Sequence, residues 1–307
     1  MIRSRNGLAI VAVITAIALA LAVNTAAVDS VTRAAAARSG GTIIDTDVLP
    51  ANVKVEGDGP PIVLIHGFGA ALDWWDEIAP EFAADHRVIR LDLIGHGGTE
   101  APASGYTIER QAKLVAAVLD KLGVDRAAVI GHSMGGEVAT ALAEASPEKI
   151  ERLVLIDSPP KPEITFNLGT RLALMPVLGE LLSRFTSDAT IRRMLAQGFA
   201  RGFPVPDEFV ADVKQLTYTA FRTAHNDSIA FETEKPVVER LVALQAAPPL
   251  LVVFGSRDAL VAPESANLYE IVPGAKVVIL DGAGHSPMVE APKETLALIK
   301  DFLAPGE

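Results

Sequence analysis

In this 307-residue chain, the residue whose surroundings most clearly indicate chemistry is a serine with a glycine two positions away on each side. Ser133 is the centre of Gly131-His132-Ser133-Met134-Gly135, which follows the apolar run AAVI and precedes a helical pattern. The two glycines permit a sharp strand-to-helix turn, because larger side chains there would collide with neighbouring elements. Such a turn places the hydroxyl at a helix N-terminus, where the helix dipole and the N–H of Met134 favour a developing oxyanion. The spacing therefore predicts a nucleophile elbow with Ser133 as nucleophile.

A serine hydroxyl is a weak nucleophile and needs a base that is itself oriented by an acid. Asp258 follows the buried strand pattern LLVVFG, and His285 lies in the Gly-rich loop after the next strand pattern, VVIL. Carboxyl ends of parallel strands meet at one edge of a sheet, so we expect these side chains to lie together. Of six histidines, His285 alone is both late in the chain and at a strand end. Asp157, which follows ERLVLI, is the alternative acid, although a turn role is favoured for it.

A second oxyanion donor is expected from a loop after an earlier strand. The run PIVLI is followed by His66-Gly67-Phe68-Gly69, in which glycines let the backbone approach a substrate oxygen. The N–H of Phe68 is the candidate donor. The chain has no cysteine and contains neither H-E-x-x-H nor G-x-x-x-x-G-K-[ST]. We therefore expect no metal and no cofactor.

The elements that position these residues alternate along the chain from residue 41 onwards. The later apolar runs of Val, Ile and Leu show no alternation, which is typical of strands covered by helices on both faces. The pattern predicts an α/β domain with a mostly parallel, eight-stranded sheet. The predicted strands are GTIIDTDV, NVKVEG, PIVLIHG, HRVIRLDL, AAVIGHS, ERLVLIDS, PLLVVFGS and AKVVILDG. The predicted helices are Asp73–Ala84, Thr107–Leu122, Met134–Glu144, Pro263–Ile271 and Pro292–Leu303.

One interval, residues 160–236, has helical apolar stripes but no buried strand pattern, and we interpret it as an inserted helical cap. The α/β core then comprises residues 41–159 and 237–307. Such stripes usually pack against a core, but the underside of a cap can also line a substrate site. Trp74, just after the oxyanion loop, has the same two interpretations. The candidate lining residues are Trp74, Leu172, Met175, Leu178, Phe199 and Phe221.

The N-terminus has the features of an export signal. Arg3 and Arg5 precede an uncharged apolar run at residues 7–23. This run is longer than a usual signal-peptide core but short of the ~20 residues that span a bilayer. Residues 1–28 are thus predicted to be a signal peptide or a single-pass membrane anchor, and residues 29–40 a linker. The positive residues hold that end in the cytoplasm, so we expect export of the rest, either membrane-anchored or secreted/periplasmic.

Composition limits the class of protein further. Lys and Arg total 27 against 38 Asp and Glu, for a formal charge of −11. This acidic balance, without a basic cluster, argues against nucleic-acid binding. Half of the residues are hydrophobic and 21% are charged, which excludes a disordered chain. Composition does not predict an oligomeric state.

Five motifs in order resemble those of the α/β-hydrolase superfamily, in its lid-bearing serine esterase and lipase branch. They are HGFG, DLIGHGGT, GHSMGG, GSRDALV and GAGHSP, and the resemblance covers residues 41–307. It implies a Ser133–Asp258–His285 triad, oxyanion donors at Phe68 and Met134, and a lid formed by the insertion. Relatives usually have Pro or Arg in place of Ile94 and Ser in place of Thr99. No catalytic role is therefore carried over to the Asp92 or His96 of that turn, and both are expected to be structural.

The resemblance implies carboxylic ester hydrolysis through an acyl-enzyme intermediate, and the apolar cap predicts small hydrophobic or acyl-chain esters as substrates. Epoxide hydrolases and haloalkane dehalogenases of this fold use an aspartate at the elbow, so Ser133 argues against both. Carbon–carbon bond hydrolases of ring-cleavage products keep the serine, but in many of them an aromatic residue follows the histidine, where this chain has Ser286. That alternative and a cofactor-free haloperoxidase stay open. A non-enzymatic binding module is disfavoured because the triad is intact.

Overall fold

A single eight-stranded sheet forms the centre of the molecule, in the order β1-β2-β4-β3-β5-β6-β7-β8. The computed structural model describes residues 40–162, 174–175 and 178–304, together with positions 7, 11–13, 15–16 and 19. β1 pairs with β2, and β2 with β4, in antiparallel fashion, whereas all the other pairs are parallel. The prediction of a mostly parallel, eight-stranded sheet is confirmed. The strands are β1 (Thr42–Ile44), β2 (Ala51–Glu56), β3 (Pro61–Ile65), β4 (Arg87–Leu91), β5 (Ala127–His132), β6 (Ile150–Ile156), β7 (Leu250–Gly255) and β8 (Lys276–Leu280).

Helices cover both faces of the sheet. They are α1 (Ala79–Phe82), α2 (Ile108–Lys121), α3 (Met134–Ala145), α4 (Leu178–Ser183), α5 (Asp188–Leu195), α6 (Asp207–Gln215), α7 (Tyr218–Glu234), α8 (Val237–Val242), α9 (Pro287–Glu290) and α10 (Pro292–Leu303). Segments of 3₁₀ helix lie at Leu72–Trp75, Pro147–Lys149, Ala196–Gly198 and Pro263–Ile271.

The prediction of one continuous helix over residues 73–84 is wrong. The chain instead forms the 3₁₀ turn Leu72–Trp75 and then the short helix α1. Pro80 lies in the first turn of α1, where its missing N–H is harmless. The same proline could not continue a helix from Trp75, because its ring and absent donor break the hydrogen-bond ladder.

Successive side chains of the central strands enter two separate apolar clusters. Val129 of β5 joins the cluster beneath α2 and α3, whereas the next residue, Ile130, joins the cluster on the opposite face. This follows from the two-residue period of a strand. All residues of β5 and β7 are buried, as expected for strands covered on both sides.

The insertion between β6 and β7 is helical and contributes side chains to both clusters, with α7 packing into the cluster beneath α2 and α3. Its helices α4 to α7 lead into α8 and β7. Ile191, Phe199 and Phe209 of the insertion belong to the same apolar cluster as Ile130 of β5 and Val253 of β7. The predicted helical insertion is therefore present and shares its core with the sheet.

Most of the predicted N-terminal segment lies outside the described residues, as do most of residues 29–40 and the candidate residue Leu172. Within the described residues, no helix has both the length and the apolarity needed to cross a bilayer. The export and anchoring of this chain stay predictions.

Candidate active site

Ser133 occupies the tight turn between β5 and α3. Its backbone angles, φ 51° and ψ −122°, lie in a region that non-glycine residues rarely adopt. A Cβ at Gly131 would come within 2.3 Å of the Gly135 carbonyl oxygen, and one at Gly135 within 2.3 Å of the Ile65 carbonyl oxygen. Both glycines are thus required by close backbone packing, as the motif predicts. Ser133 is partly exposed, so the turn presents its hydroxyl outward.

The structure brings the three candidate triad residues together. The distance from His285 Nε2 to Ser133 Oγ is 3.0 Å, and from His285 Nδ1 to Asp258 Oδ2 2.7 Å. The other Asp258 oxygen accepts the N–H groups of Leu260 and Val261 at 2.7 and 3.1 Å. Burial opposes ionisation of Asp258, but the charge and hydrogen bond of His285 outweigh it and hold its pKa below the usual value. Asp258 is therefore a carboxylate that orients the imidazole, leaving Nε2 to accept from the serine.

Asp157, the alternative acid, lies beside Asp258 rather than against His285. It is fully buried, has a φ of 44°, and accepts the Gly255 N–H at 2.9 Å. Burial, and then the charge of Asp258, raise the pKa of Asp157 well above its ordinary value. A neutral Asp157 can share its proton with the Asp258 carboxylate, so the pair carries one negative charge.

Asp157, Asp258 and His285 also form a group whose possible ligand atoms all lie within 4.8 Å of one another, close enough to hold a metal ion. It is the one such group among the described residues. However, His285 uses Nδ1 for Asp258 and Nε2 for Ser133. A protonated Asp157 is also a poor metal ligand, because ligands bind in their deprotonated form. The bonding of this group fits an imidazole that is oriented by a carboxylate and acts as a base towards Ser133.

The oxyanion loop is fixed by buried His66. Its Nδ1 lies 2.8 Å from the Gly67 carbonyl oxygen, and its Nε2 accepts the Leu93 N–H at 3.0 Å. Burial lowers the pKa of His66 well below the usual value, so the ring is neutral with its proton on Nδ1. A Cβ at Gly67 would come within 2.8 Å of His132 Nδ1. Gly67 therefore allows the loop to approach the elbow.

The two candidate oxyanion donors belong to the two segments that meet at Ser133. Phe68 follows Gly67 in the loop after β3, and Met134 is the first residue of α3. Within the described parts of the chain, neither backbone N–H donates to a protein acceptor. Both donors are therefore available to a substrate oxygen.

His132 has a role that the sequence did not indicate. Its Nε2 lies 2.7 Å from the carbonyl oxygen of His285, to which it donates. Burial lowers the pKa of His132 to about 3, so this ring is neutral. His132 thereby anchors the backbone of the proposed base, 153 residues further along the chain. No sequence signal reveals this contact, because the motif accepts many residues at this position.

The turn at residues 92–99 supports the loop structurally. Asp92 is buried and accepts the N–H groups of Leu72 and Gly98 at 2.8 and 2.7 Å, and Asn52 Nδ2 at 2.7 Å. Burial raises its pKa to about 6, although these hydrogen bonds oppose the shift. His96 lies against Phe68 at a ring distance of 6.1 Å. Neither Asp92 nor His96 contacts the triad, in line with the structural role expected for both.

The candidate lining residues separate into different environments. Trp74 and Phe199 are buried in a stack with Phe209, whose ring centre is 4.0 Å from that of Trp74. Phe221, on α7, packs on Phe68 at 5.3 Å and is half-buried. Met175 is exposed by 48%. Leu178 is the first residue of α4.

This fold agrees with the comparisons to known proteins. The family model described as "alpha/beta hydrolase fold" matches residues 60–292. The chain therefore belongs to the α/β-hydrolase family, and the expected resemblance is confirmed.

Its relatives have different names within this family. The chain is similar to a 2-hydroxymuconate semialdehyde hydrolase of Pseudomonas putida, at 29% identity over 83% of this chain and 91% of the relative. It is 30% identical to a pimeloyl-[acyl-carrier protein] methyl ester esterase of Neisseria meningitidis, over 79% of this chain and 93% of that protein. Its structure resembles that of a membrane phospholipase A, a bacterial virulence factor, with TM-score 0.68, 27% identity and coverage of 99% and 98% of the two chains. All three of these similar proteins are named as hydrolytic enzymes, whereas their substrate classes differ.

Proposed function

We propose that this protein is a serine hydrolase that cleaves carboxylic esters of hydrophobic or acyl-chain substrates. The observation that carries the proposal is the continuous chain of hydrogen bonds from Ser133 through His285 to Asp258. A hydroxyl joined to an imidazole, itself joined to a carboxylate, is the arrangement that activates a serine for acyl transfer.

The reaction follows from this geometry. His285 Nε2 takes the proton of Ser133 as its oxygen attacks the ester carbonyl, and the N–H groups of Phe68 and Met134 stabilise the tetrahedral oxyanion. The C–O bond to the alcohol then breaks, and His285 returns the proton to the departing alcohol. Water, deprotonated by His285, then attacks the acyl-enzyme. The bond from the acyl carbon to Ser133 Oγ breaks, His285 returns the proton to that oxygen, and the acid is released. Asp258 stabilises the imidazolium at each stage.

Apolar surroundings support a hydrophobic substrate. Phe68, which carries a proposed oxyanion donor, packs against Phe221 and His225 of α7. A half-buried aromatic contact beside the nucleophile suits an acyl chain better than a charged group. The methyl ester esterase and the membrane phospholipase A among the similar proteins also favour ester substrates. The phospholipase, together with Arg3, Arg5 and the apolar run after them, supports our further proposal of export with a possible membrane attachment.

One alternative has an observation in its favour. The similarity to a 2-hydroxymuconate semialdehyde hydrolase favours cleavage of a carbon–carbon bond in a ring-cleavage product. Ser286, in place of an aromatic residue after the histidine, argues against it.

Rates of hydrolysis of p-nitrophenyl esters, from acetyl to decanoyl, test the proposal on the full-length chain. We expect an optimum at a longer acyl chain, and a fall of about 1,000-fold or more in kcat for Ser133→Ala, because the nucleophile is lost. Labelling by a fluorophosphonate, which reacts with an activated serine, gives a substrate-independent readout, and it too should vanish in Ser133→Ala.

Two results would contradict parts of this proposal. Comparable kcat/KM for acetyl and decanoyl esters would exclude a long acyl site. Labelling of Ser133 without turnover of any ester would overturn ester hydrolysis, and the carbon–carbon bond alternative would then be tested with a ring-cleavage product.

A further inference from the structure

The carboxylate of Glu290, at the end of α9, joins three backbone N–H groups from two separate parts of the chain. Its Oε1 accepts from Gly284 at 3.0 Å and from Ser286 at 3.1 Å. Its Oε2 accepts from Ala200 at 2.6 Å. The first two donors flank His285 in the loop of residues 281–286, here called the histidine loop. The third belongs to residues 198–200, here called the cap turn.

Two further contacts join the same two segments. The hydroxyl of Ser286 donates to the Gly198 carbonyl oxygen at 3.1 Å. A Cβ at Gly284 would come within 2.2 Å of the Ala200 nitrogen and 2.5 Å of the Phe199 carbonyl carbon. Gly284 therefore lets the cap turn lie directly on the histidine loop, and the residues on both sides of His285 contact the cap.

We infer that Glu290 is a positioning residue for the proposed reaction. Its carboxylate fixes the histidine loop to the cap turn, so that His285 lies correctly on Ser133 only when the cap turn is docked. The inference rests on the proposed function only in making His285 the base. Glu290 touches none of the reacting groups and acts through the backbone on either side of the imidazole.

The charge and the two oxygens of Glu290 are both needed for this role. Bonds from N–H groups to a carboxylate are charge-assisted and about twice as strong as those to a neutral acceptor. Glutamine has the same shape but offers one oxygen and one NH₂ group. In either orientation of the amide, a donor would face another donor, at the histidine loop or at the cap turn. Glu290→Gln therefore breaks one side of the connection with little change in packing.

The matched control is Glu294→Gln. Glu294 is exposed in the first turn of α10, four residues after Glu290, so its substitution makes the same change of net charge nearby. A second variant, Ser286→Ala, removes the hydroxyl bond to Gly198 and leaves Glu290 in place. Circular dichroism and Tm establish that each variant is folded at the assay temperature.

Two rates are measured on the full-length chain: ester hydrolysis, and the rate of inactivation by a fluorophosphonate. We expect Glu290→Gln to lower kcat by about tenfold to a hundredfold with KM little changed, because displacement of a base by about 1 Å has effects of this size. Inactivation should slow in parallel, Ser286→Ala should show a smaller loss of the same kind, and Glu294→Gln should match the wild type.

The inactivation rate separates this inference from the proposed function. If no ester is hydrolysed but Glu290→Gln still slows inactivation, the ester proposal fails and the positioning role stands. The positioning role is overturned if folded Glu290→Gln has the wild-type kcat and inactivation rate. It is also overturned if Glu294→Gln lowers kcat and the inactivation rate as much as Glu290→Gln does. A rise in KM alone also overturns it, since that would indicate a loosened substrate site with a correctly placed base.

Discussion

Backbone strain among the described residues is confined to the site. Apart from glycines, the residues with positive φ in that part of the chain are Ser133 and Asp157, at 51° and 44°. They follow the neighbouring strands β5 and β6. Such conformations cost about 1–3 kcal/mol each and persist where the surrounding structure enforces them. The strain at Asp157 indicates that its place beside Asp258 matters.

Substitutions of the two neighbouring acids should have unequal effects. Asn at position 157 can accept the Gly255 N–H, donate to Asp258 and tolerate the positive φ, so we expect Asp157→Asn to keep kcat within about fivefold of wild type. Asp258→Asn should lower kcat by about 10⁴-fold, because an amide at Nδ1 favours the wrong imidazole tautomer. Initial rates of ester hydrolysis measure both. If Asp157→Asn were as damaging as Asp258→Asn, Asp157 would be as necessary for the function of the imidazole as Asp258.

Between elements, the most notable contact joins α6 of the insertion to the 3₁₀ turn after the oxyanion loop. Trp74 Nε1 donates to Asp212 Oδ2 at 3.0 Å, and the carboxyl group of Asp73 lies beside that of Asp212. Burial, and then the charge of Asp73, raise the pKa of Asp212 to about 8. Burial also raises the pKa of Asp73. The contact between cap and core therefore contains a bound proton at neutral pH.

This proton makes stability depend on pH. The pKa of a solvated Asp is 3.8 and that of folded Asp212 about 8, so the folded state holds a proton that the unfolded state has released. The contribution of Asp212 is therefore complete below pH 4 and is lost as pH rises towards 8, by at most about 1.4 kcal/mol per pH unit. Asn at position 212 can still accept from Trp74 Nε1, and its amide can donate to the Asp73 carboxylate without a titrating proton. We expect the Tm of Asp212→Asn to fall less than that of wild type between pH 5 and 8.

Thermal unfolding at several pH values measures this difference. Glu208→Gln, an exposed change on the same helix, is the control and should follow the wild-type curve. Parallel Tm curves for wild type and Asp212→Asn would show that no proton is held at this contact.

At the scale of the whole molecule, the insertion and the sheet bury side chains in the same apolar clusters, and the larger aromatic residues meet in one of them. Phe199 and Phe209 of the insertion, Trp74 and Trp75 of the core, and Val253 of β7 all belong to it. An insertion that buries its apolar side chains on the core cannot separate without exposing both surfaces to water. The cap and the α/β core should therefore depend on each other for stability.

A single unfolding transition should result. The chain has two tryptophans, Trp74 and Trp75. Trp74 stacks on Phe199 and Phe209 of the insertion, and Trp75 lies in the same apolar cluster, so their fluorescence reports the packing between cap and core. Far-UV circular dichroism reports the helices throughout. In urea, we expect the two signals to change with the same midpoint, as in two-state unfolding. A fluorescence change at distinctly lower urea would indicate that the cap is released first.

Much of the fold and of the candidate site follows from the sequence alone. Runs such as LLVVFG predict buried strands because both faces of a parallel sheet exclude water. Gly131 and Gly135 predict the elbow because a local turn leaves no room for a side chain. Asp258 and His285 could be selected because strand order places their loops at one edge of the sheet. Each of these inferences depends on near neighbours or on the alternation of strands and helices.

Other features were decided by the tertiary structure. Trp74 meets Phe209, Asp157 lies beside Asp258, and Glu290 reaches Ala200 across 90 residues of chain. No local pattern encodes these pairs, because each depends on how distant segments approach one another after the sheet has formed. A proton shared by two buried carboxyl groups likewise exists only where folding removes water from both. The sequence thus determined which groups carry the proposed chemistry, and the tertiary packing determined what holds them in position.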